Sequence, residues 1–474
     1  MLESYPMVIR NELLFFPEEM KERFLETGPL PLRDGTQVSA EEIWEFMNVE
    51  GPARFPYAFT ANPDAPLRMP YKVDLLSSIK LFYLLFSRRL RVESLRQQGL
   101  PLVYVQGGQT MDPYFAAQSV PLRPGDLTQL AAFYVAEGMN ARDRDWKVMD
   151  IHEAGNRVVS MESCHQLVSH SGIRSGLIPV ALMAPFTRVR CSDVTFLVES
   201  HRDGPMKTPS LLVDYPVNYA PHKTWMVDYV ATGLRQLVSK IDSLTGRTTS
   251  DEDFKAQIRL NNRIRRLARE AFTLWRSADV PPASSVFVIR MAALGKDCDG
   301  DPVAAEHLLS LMRDEIEERV SRGLKGSEMA RRPARIFKCG SCFMPNFHKW
   351  DKAGGALIGG DDWWSDVWMP DVEEEGDPYL SFARASLSTP YDLPTEQRAA
   401  WVVDQIKESR AEGLIFGYQW GCNFQSAVAR LVCDMVQKET DIPSITLGTD
   451  ELARGESLEQ TDNRIEAFVE MLSF

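Results

Sequence analysis

The sequence predicts an α/β protein with two parallel-sheet domains, and three observations lead to that fold class. From about residue 100, short apolar runs alternate with helical segments, and the same alternation resumes after residue 331. Between these stretches lie two long amphipathic helical patterns, Thr224 to Leu244 and Asp251 to Ser277. Strands that alternate with helices at such spacing form parallel sheets with helices on both faces. A chain of 474 residues is also too long for one core.

Residues 1–100 are predicted to form an N-terminal extension that is rich in aromatic residues and prolines. Helical patterns occur at Ala40 to Met47 and at Ser77 to Leu95, so we expect the extension to be mostly helical. The second pattern passes from apolar to basic near Arg88. It fits either a cap on the first domain or a contact with a partner subunit.

Residues 101–245 are assigned to the first α/β domain and residues 246–330 to a helical connection. The domain contains short apolar runs, and one helical stretch is expected around Leu127 to Glu137. We predict its strands at Leu102–Val105, Arg157–Cys164, Cys191–Ser200 and Ser210–Pro216.

Residues 331–474 are assigned to the second α/β domain, which carries the most informative stretch. The apolar run Gly413 to Gln419 stops at Gly421-Cys422 and leads into an amphipathic segment, Ala427 to Lys438. This order predicts a buried strand, a tight turn and a helix. Cys422 is therefore expected at the carboxyl end of a strand, where open α/β sheets bind their ligands.

The rest of the second domain continues the alternation of strands and helices. The unit starts at Ala334–Cys342, Gly354–Asp362 supplies a further strand and turn, and Ile442–Leu447 is another strand. Helices are expected at Pro345–Lys352 and Gln460–Phe468.

Composition and charge exclude several classes of protein. The formal charge is −13, from 53 basic and 66 acidic residues, so we expect no general binding to nucleic acid or to an anionic membrane. The N-terminal residues lack the basic start and apolar core of a signal peptide, and the apolar stretch Leu75 to Phe86 is too short to span a bilayer. We expect a cytoplasmic protein.

Seven cysteines are too few for a disulfide framework in a chain of this length. Any one of them can be an ordinary core thiol, because free cysteine is among the most buried residue types. Cys339 and Cys342 form a Cys-x-x-Cys pair, which alone fits a zinc site, a redox pair or the edge of an iron–sulfur cluster. Cys298 and Cys433 are expected to be ordinary thiols.

The C-terminal stretch carries a recognisable order of features: Gly421-Cys422 after an apolar strand, a second strand, and a helix opening Gln460-Thr461-x-x-Arg464-Ile-Glu-Ala-Phe. This order resembles the last domain of the 2-hydroxyacyl-CoA dehydratase and benzoyl-CoA reductase family. The resemblance extends over roughly Leu100 to Phe474. It implies two flavodoxin-like domains and a catalytic subunit that acts on an acyl-CoA.

The resemblance also implies one 4Fe-4S cluster, held by two cysteines of the first domain and one of the last. The matching positions are Cys164, Cys191 and Cys422. Cluster ligands need to converge in space but not in sequence, and all three cysteines lie at the edges of apolar strands. Three thiolates leave one iron open to a substrate oxygen or to water.

The resemblance further implies two partner proteins, a related second catalytic subunit and a separate ATP-hydrolysing iron–sulfur activator. In agreement, the sequence contains neither a Gly-x-x-x-x-Gly-Lys-Ser/Thr phosphate loop nor a Gly-x-Gly-x-x-Gly fingerprint. We therefore expect the chain neither to hydrolyse ATP nor to bind a nicotinamide cofactor in the usual manner.

Several polar residues are candidates for the cleft beside the cluster. His165 adjoins Cys164 and is the candidate proton donor, although a solvated histidine is the common alternative. Cys339, Cys342 and Asp361 are possible cleft residues. Asp361 lies in a Gly-Asp-Asp sequence, which is also typical of a plain turn.

Benzoyl-CoA-type ring reduction is the favoured reaction, because a group of aromatic residues near the expected cleft can wall a flat ring. The group comprises Phe343, Phe347, Trp350, Trp363, Trp364 and Trp368. The alternative is dehydration of a 2-hydroxyacyl-CoA through a ketyl radical. Two further alternatives are a non-catalytic electron-transfer or scaffold subunit, in which Cys339 or Cys342 completes the ligation of the cluster, and a metal-free two-domain binding protein.

Overall fold

The computed structural model describes most of the chain outside the middle of the first domain. The described residues are 4–63, 68–105, 110–123, 157, 180–184, 186–187, 208–216, 222–340, 346–361, 363–419, 421–449 and 458–472.

The N-terminal extension combines short helices with three antiparallel two-stranded ribbons. Its strands are β1 Tyr5–Pro6, β2 Val8–Arg10, β3 Leu13–Phe15, β4 Leu30–Pro31, β5 Gln37–Val38 and β6 Lys72–Val73. β1 pairs with β6, β2 with β3, and β4 with β5. These ribbons were not predicted from the sequence, since strands of two or three residues are too short to show a periodic pattern.

The helical predictions for the extension are confirmed with one change. Its helices are α1 Lys21–Leu25, α2 Ala40–Glu45, α3 Gly51–Arg54, α4 Ser77–Phe86 and α5 Arg88–Gln97. The segment predicted as one helix from Ser77 is thus two helices that meet at Ser87. A π-helical turn, Phe46–Glu50, joins α2 to α3.

The first domain contains a parallel sheet of three short strands in the order β8-β7-β9. The strands are β7 Leu102–Tyr104, β8 Val120–Leu122 and β9 Leu182–Met183, with helix α6 Asp112–Ala116 between the first two. The strand predicted at Leu102 is confirmed. At Ser210 and Val213 the chain forms isolated parallel bridges to Met183 and Phe186. The strands predicted at 157–164 and 191–200 and the helix predicted at 127–137 lie outside the described residues, apart from Arg157.

Four helices connect the two sheets. They are α7 Thr224–Thr245, α8 Asp251–Ser277, α9 Ser285–Asp297 and α10 Pro302–Ser321. The two long helices occur where the sequence predicts them. Gly246 ends α7 in the left-handed conformation (φ 68°), and Ser250 begins α8 through a capping box with Asp253. In the described part of the chain, no helix combines the length and apolar character that a membrane crossing requires.

The second domain is built on a four-stranded parallel sheet in the order β11-β10-β12-β13. Its strands are β10 Ala334–Cys339, β11 Gly355–Gly360, β12 Gly413–Gln419 and β13 Ser444–Thr449. Its helices are α11 Phe347–Ala353, α12 Trp363–Val367, α13 Pro378–Leu387, α14 Thr395–Ser409, α15 Asn423–Thr440 and α16 Leu458–Leu472. The predicted parallel sheet is confirmed here.

The two faces of this sheet pack against different helices. Ile336 and Ile415 belong to a large core that includes side chains of α11, α16 and the helical connection. Phe337 and Phe416, each one position further along its strand, belong to a smaller core with α14 and α15. This alternation follows from the two-residue period of a strand, and burial of each such side chain stabilises the fold by about 1.5–3 kcal/mol.

Candidate functional site

β10 and β12 are neighbours in the sheet, with Cys339, the last residue of β10, paired with Phe416, and β12 continues beyond this pair to Gln419. Counted along the domain, the strand order is second, first, third, fourth. The helix that follows β10 packs on one face of the sheet and the helix that precedes β12 on the other. Such a reversal opens a crevice at the carboxyl ends of the first and third strands. Gly340 and Cys422, which follow those two strands, are therefore close to it.

Cys422 is the N-cap residue of α15, at the turn that follows β12. Its backbone N–H donates to the Gln419 carbonyl at 3.0 Å, and its own carbonyl accepts from the Ser426 N–H at 3.0 Å. Gly421 has a φ of 81°, which lets the chain turn sharply between strand and helix. The thiol is half-buried and forms no disulfide with a described residue. A helix N-terminus favours negative charge, so this position suits a thiolate ligand.

Cys339 lies in a different environment, although it also ends a strand at this edge. It is fully buried and packs in the smaller core, together with Phe416 and Cys433. Burial raises the pKa of the Cys339 thiol well above its usual value, and the nearby carboxylate of Asp361 raises it further. These surroundings are those of a neutral core thiol. Its Cys-x-x-Cys partner, Cys342, lies outside the described residues.

Asp361 follows β11 and is fully buried. Its Oδ1 accepts from the backbone N–H of Gly340 at 2.8 Å, and its Oδ2 accepts from Nε of Arg398 at 2.7 Å. Burial lowers the pKa of the Arg398 guanidinium, but the Asp361 carboxylate more than offsets this, so the pKa is raised overall. Asp361 is thus an ion-paired acceptor, and not the exposed turn residue that its Gly-Asp-Asp sequence allows.

Arg398 also contacts Gln425 and Tyr391, which extend the network to α15. Both of its terminal nitrogens are 3.4 Å from Oε1 of Gln425, in the first turn of that helix. The Gln425 amide nitrogen in turn donates to the Tyr391 hydroxyl. The guanidinium lies 4.3 Å from the centre of the Tyr391 ring and 5.4 Å from that of Phe416.

The Gln419 side chain is 1% exposed, and neither its oxygen nor its nitrogen has a hydrogen-bond partner in the described part of the protein. Gln419 is the last residue of β12, three positions before Cys422. Strand alternation places it on the same face as Ile415, the face on which α11 and α16 pack. A buried amide without a partner is uncommon in native proteins and calls for a bound group or a functional role.

The structure brings together some of the residues singled out in the sequence and leaves others untested. Cys339, Asp361 and Cys422 all lie at the carboxyl edge of the second sheet. Cys164, His165, Cys191 and Cys342 lie outside the described residues. Within the described ranges, no cluster of three or more His, Cys, Asp or Glu residues is arranged to hold a metal ion.

The aromatic group that favours ring reduction is partly used for packing. Phe347 and Trp350 are 4% and 1% exposed and pack against each other, with ring centres 5.4 Å apart. The guanidinium of Arg276 lies 4.9 Å from the Trp368 ring. Phe343 lies outside the described residues. Phe347 and Trp350 are therefore core residues of the second domain.

Four residues of this edge were not identified from the sequence: Arg398, Gln419, Gln425 and Tyr391. Arg398 and Gln425 continue the buried stripes of α14 and α15, but hydropathy alone assigns such polar side chains to the surface. A polar residue at a core-facing position of α15 is the one signal that points to Gln425.

A reversed strand order with a half-buried cysteine at the edge is typical of α/β proteins that bind a ligand at the carboxyl end of the sheet. A family model described as "2-hydroxyglutaryl-CoA dehydratase, D-component" matches residues 179–472, more than half of the chain. The chain belongs to this family, as the C-terminal motif predicts.

One characterised relative is a subunit of the benzoyl-CoA reductase of Thauera aromatica. It is 26% identical to the chain over 224 residues, which cover 44% of this chain and 54% of the relative. The chain therefore spans about half the length of that protein in the match.

Proposed function

We propose that the chain is the iron–sulfur catalytic subunit of an ATP-activated, low-potential acyl-CoA enzyme. The observation that carries the proposal is the position of Cys422, at the N-terminus of α15 and beside the reversal in strand order. The family description names an acyl-CoA dehydratase component, and the relative belongs to a benzoyl-CoA reductase.

We assign Cys164, Cys191 and Cys422 as the residues that would hold a 4Fe-4S cluster. The half-buried thiol of Cys422 at a helix N-terminus fits such a ligand. When bound, the cluster would supply single electrons at low potential. We assign Cys339 to the core, because its burial favours the neutral thiol. His165, next to Cys164, is the proposed proton donor.

The favoured reaction is benzoyl-CoA-type ring reduction, in which the thioester-activated ring takes up two electrons and two protons in single steps, and the electrons would come from the ATP-hydrolysing activator. Its support is the named activity of the relative. Neither electron nor proton delivery to such a ring tolerates bulk water, and the carboxyl edge of β10 and β12 is largely buried. The second candidate is dehydration of a 2-hydroxyacyl-CoA, which the description of the matched family favours.

We further propose how the domains and partners are organised. Counted among the described strands, both sheets begin in the order second, first, third, which is the order of flavodoxin-like folds. The proposed domains are residues 101–245 and 331–474, separated by the connection 246–330 and preceded by the extension 1–100. A related second subunit and a separate ATP-hydrolysing activator would complete a cytoplasmic enzyme.

The cluster assignment is tested by measuring iron and acid-labile sulfide in anaerobically purified full-length protein, prepared with its partner. We expect about four irons per chain in the wild type. Cys422→Ser and Cys191→Ser should lose most of this iron, because each removes a thiolate ligand. Cys433→Ser is the matched control, since Cys433 is a buried core thiol, and it should keep its iron. An iron-free wild type would overturn the assignment.

The reaction is tested with the activated complex and two kinds of substrate. Benzoyl-CoA should be consumed with formation of a reduced ring. A set of 2-hydroxyacyl-CoAs is assayed in parallel. Turnover of only the hydroxyacyl substrates would replace ring reduction by dehydration, and no turnover of either with intact iron would favour the electron-transfer role.

A further inference from the structure

Asp361 connects the turn after β10 to helix α14. One carboxylate oxygen accepts from the backbone N–H of Gly340, the first residue of that turn, at 2.8 Å. The other accepts from Arg398, in the first turn of α14, at 2.7 Å. Both side chains of the pair are at most 1% exposed. The ends of two neighbouring strands are therefore tied to one buried guanidinium.

Gln425 extends the same connection to the helix that Cys422 begins. It lies three residues after Cys422, and its side chain is fully buried. Its oxygen accepts from Arg398 and its nitrogen donates to the Tyr391 hydroxyl, so both ends of the amide are held. The first turn of α15 is thus linked to the Gly340 N–H, in the turn after β10, through the side chains of Gln425, Arg398 and Asp361.

The composition of the network suits positioning. A planar guanidinium with a fixed fork of donors orients its acceptors more narrowly than an ammonium group. Buried polar networks with satisfied members specify one arrangement of the elements that they join. The Tyr391 and Phe416 rings also contact the guanidinium and restrict its movement further.

We propose that Arg398 and Asp361 are positioning residues that hold Cys422 in a fixed place relative to the Gly340 turn. Arg398 acts on Cys422 through Gln425, and Asp361 acts on the turn through the Gly340 N–H. The importance of this positioning for catalysis rests on the proposed role of Cys422 as a cluster ligand. The positioning itself can be measured in protein without a cluster.

The test compares the alkylation rate of Cys422 by iodoacetamide in cluster-free, full-length variants, with the modified residue identified by mass spectrometry. Arg398→Lys should raise this rate about three- to tenfold, because it weakens the hydrogen bonds to Gln425 that hold the first turn of α15. Asp361→Asn should also raise it, because Arg398 loses the carboxylate that orients it. Tyr391→Phe keeps the ring and removes the hydroxyl that Gln425 uses, so it should give a smaller rise without misfolding.

Arg319→Lys and Asp74→Asn are the matched controls. Arg319 and Asp74 form another buried pair, 2% and 1% exposed, which joins the extension to α10. These two substitutions should lower the thermal midpoint about as much as Arg398→Lys and Asp361→Asn do, and they should leave the alkylation rate of Cys422 unchanged. Equal rates in both sets of variants, or an unchanged rate in Arg398→Lys and Tyr391→Phe, would overturn the proposal.

In reconstituted protein, Arg398→Lys should also change the g-values or line width of the reduced cluster's electron paramagnetic resonance signal, which a merely structural residue would leave in place. An iron-free wild type would defeat the cluster assignment and leave the alkylation result to decide the positioning. Unchanged alkylation together with full iron would defeat only the positioning.

Discussion

Two buried aspartates of the second domain, Asp361 and Asp351, have carboxyl groups that are stabilised by different kinds of partner. Both are fully buried. Asp361, at the carboxyl edge, is paired with the guanidinium of Arg398. Asp351, on α11, accepts from the hydroxyls of Ser284 and Ser285 and from the Ser285 N–H at 2.5–2.9 Å. Burial raises the pKa of Asp351 to about 7, because these neutral donors only partly offset it.

The two aspartates hold different parts of the domain. Asp361 lies at the carboxyl edge of the sheet, and Asp351 lies among the packed helices that support the sheet, which we call the scaffold. Asp351 ties α11 to α9 and, through the Ser285 hydroxyl, to the N–H of Leu357 in β11. These are packed helices and a strand, and they keep their places whether or not the carboxyl carries a proton. Asp361 instead joins the turn after β10 to the first turn of α14. Its carboxylate is paired with a guanidinium, whereas that of Asp351 accepts from neutral donors.

The largest effect is expected from a substitution at Gly340, where the turn after β10 approaches the backbone of β12 closely. An alanine Cβ at Gly340 would overlap the carbonyl oxygen of Gly417 in β12, and Gly340 has a φ of 86°. Gly340→Ala should therefore destabilise the protein by about 3 kcal/mol or more, the sum of strain and overpacking. The thermal midpoint measures the loss.

Gly354→Ala is the control for that prediction. Gly354 has a similar φ of 96°, but the nearest atoms to an added Cβ are 4.0 Å away. Only backbone strain then remains, about 1–2 kcal/mol. Equal losses of stability in the two variants would show that the backbone at Gly340 can move to accommodate the added methyl group. The carboxyl edge would then be no more tightly packed than the scaffold.

The second prediction concerns the pH dependence that Asp351 contributes. Its pKa is raised from 3.8 to about 7 in the folded protein. The native state therefore holds the proton more tightly, so this contribution to stability is full below about pH 4 and is lost as pH rises through 7. In Asp351→Asn, stability should fall less between pH 5 and 8 than in the wild type, by about 1 kcal/mol per pH unit within that window.

The measurement is the thermal midpoint of wild type and variant at pH 5 and pH 8. Ser284→Ala removes a hydrogen bond that lowers this pKa, so it should shift the loss of stability to higher pH. Identical pH profiles for Asp351→Asn and wild type would show that Asp351 does not titrate as its surroundings indicate.

The smallest effect distinguishes a buried amide without a partner from a buried amide with two. Gln419→Leu should stabilise cluster-free protein by about 1 kcal/mol, because it removes a buried polar group that has no described partner. Gln425→Leu should instead destabilise it by about 1–3 kcal/mol, since it leaves Arg398 and Tyr391 without their acceptor and donor. A loss of stability in both variants would mean that Gln419 is satisfied in solution.

The sequence predicted the strands β10 to β13 and the helices α11, α15 and α16 of the second domain, with shifts that have physical causes. Helices α12, α13 and α14 were not predicted. The helix expected from Ala427 begins earlier, at Asn423. Its first turn holds the buried polar Gln425, which interrupts the apolar pattern, so the pattern predicts the helix only from Ala427. The strand expected at Ile442 begins at Ser444. Pro443 has no N–H to donate, although its carbonyl accepts from Leu414.

The sequence by itself determined the local elements, the fold class and the place of Cys422 at the end of a strand, because hydrophobic periodicity reports which side of each element is buried. Only the tertiary structure decided the strand order, the burial of Cys339 and the pairing of Asp361 with Arg398. These three features depend on which segments, distant in the sequence, pack against each other. Hydrophobic periodicity shows that a face is buried but not which segment covers it. A polar residue at a buried position can be interpreted only when the group that satisfies it is known.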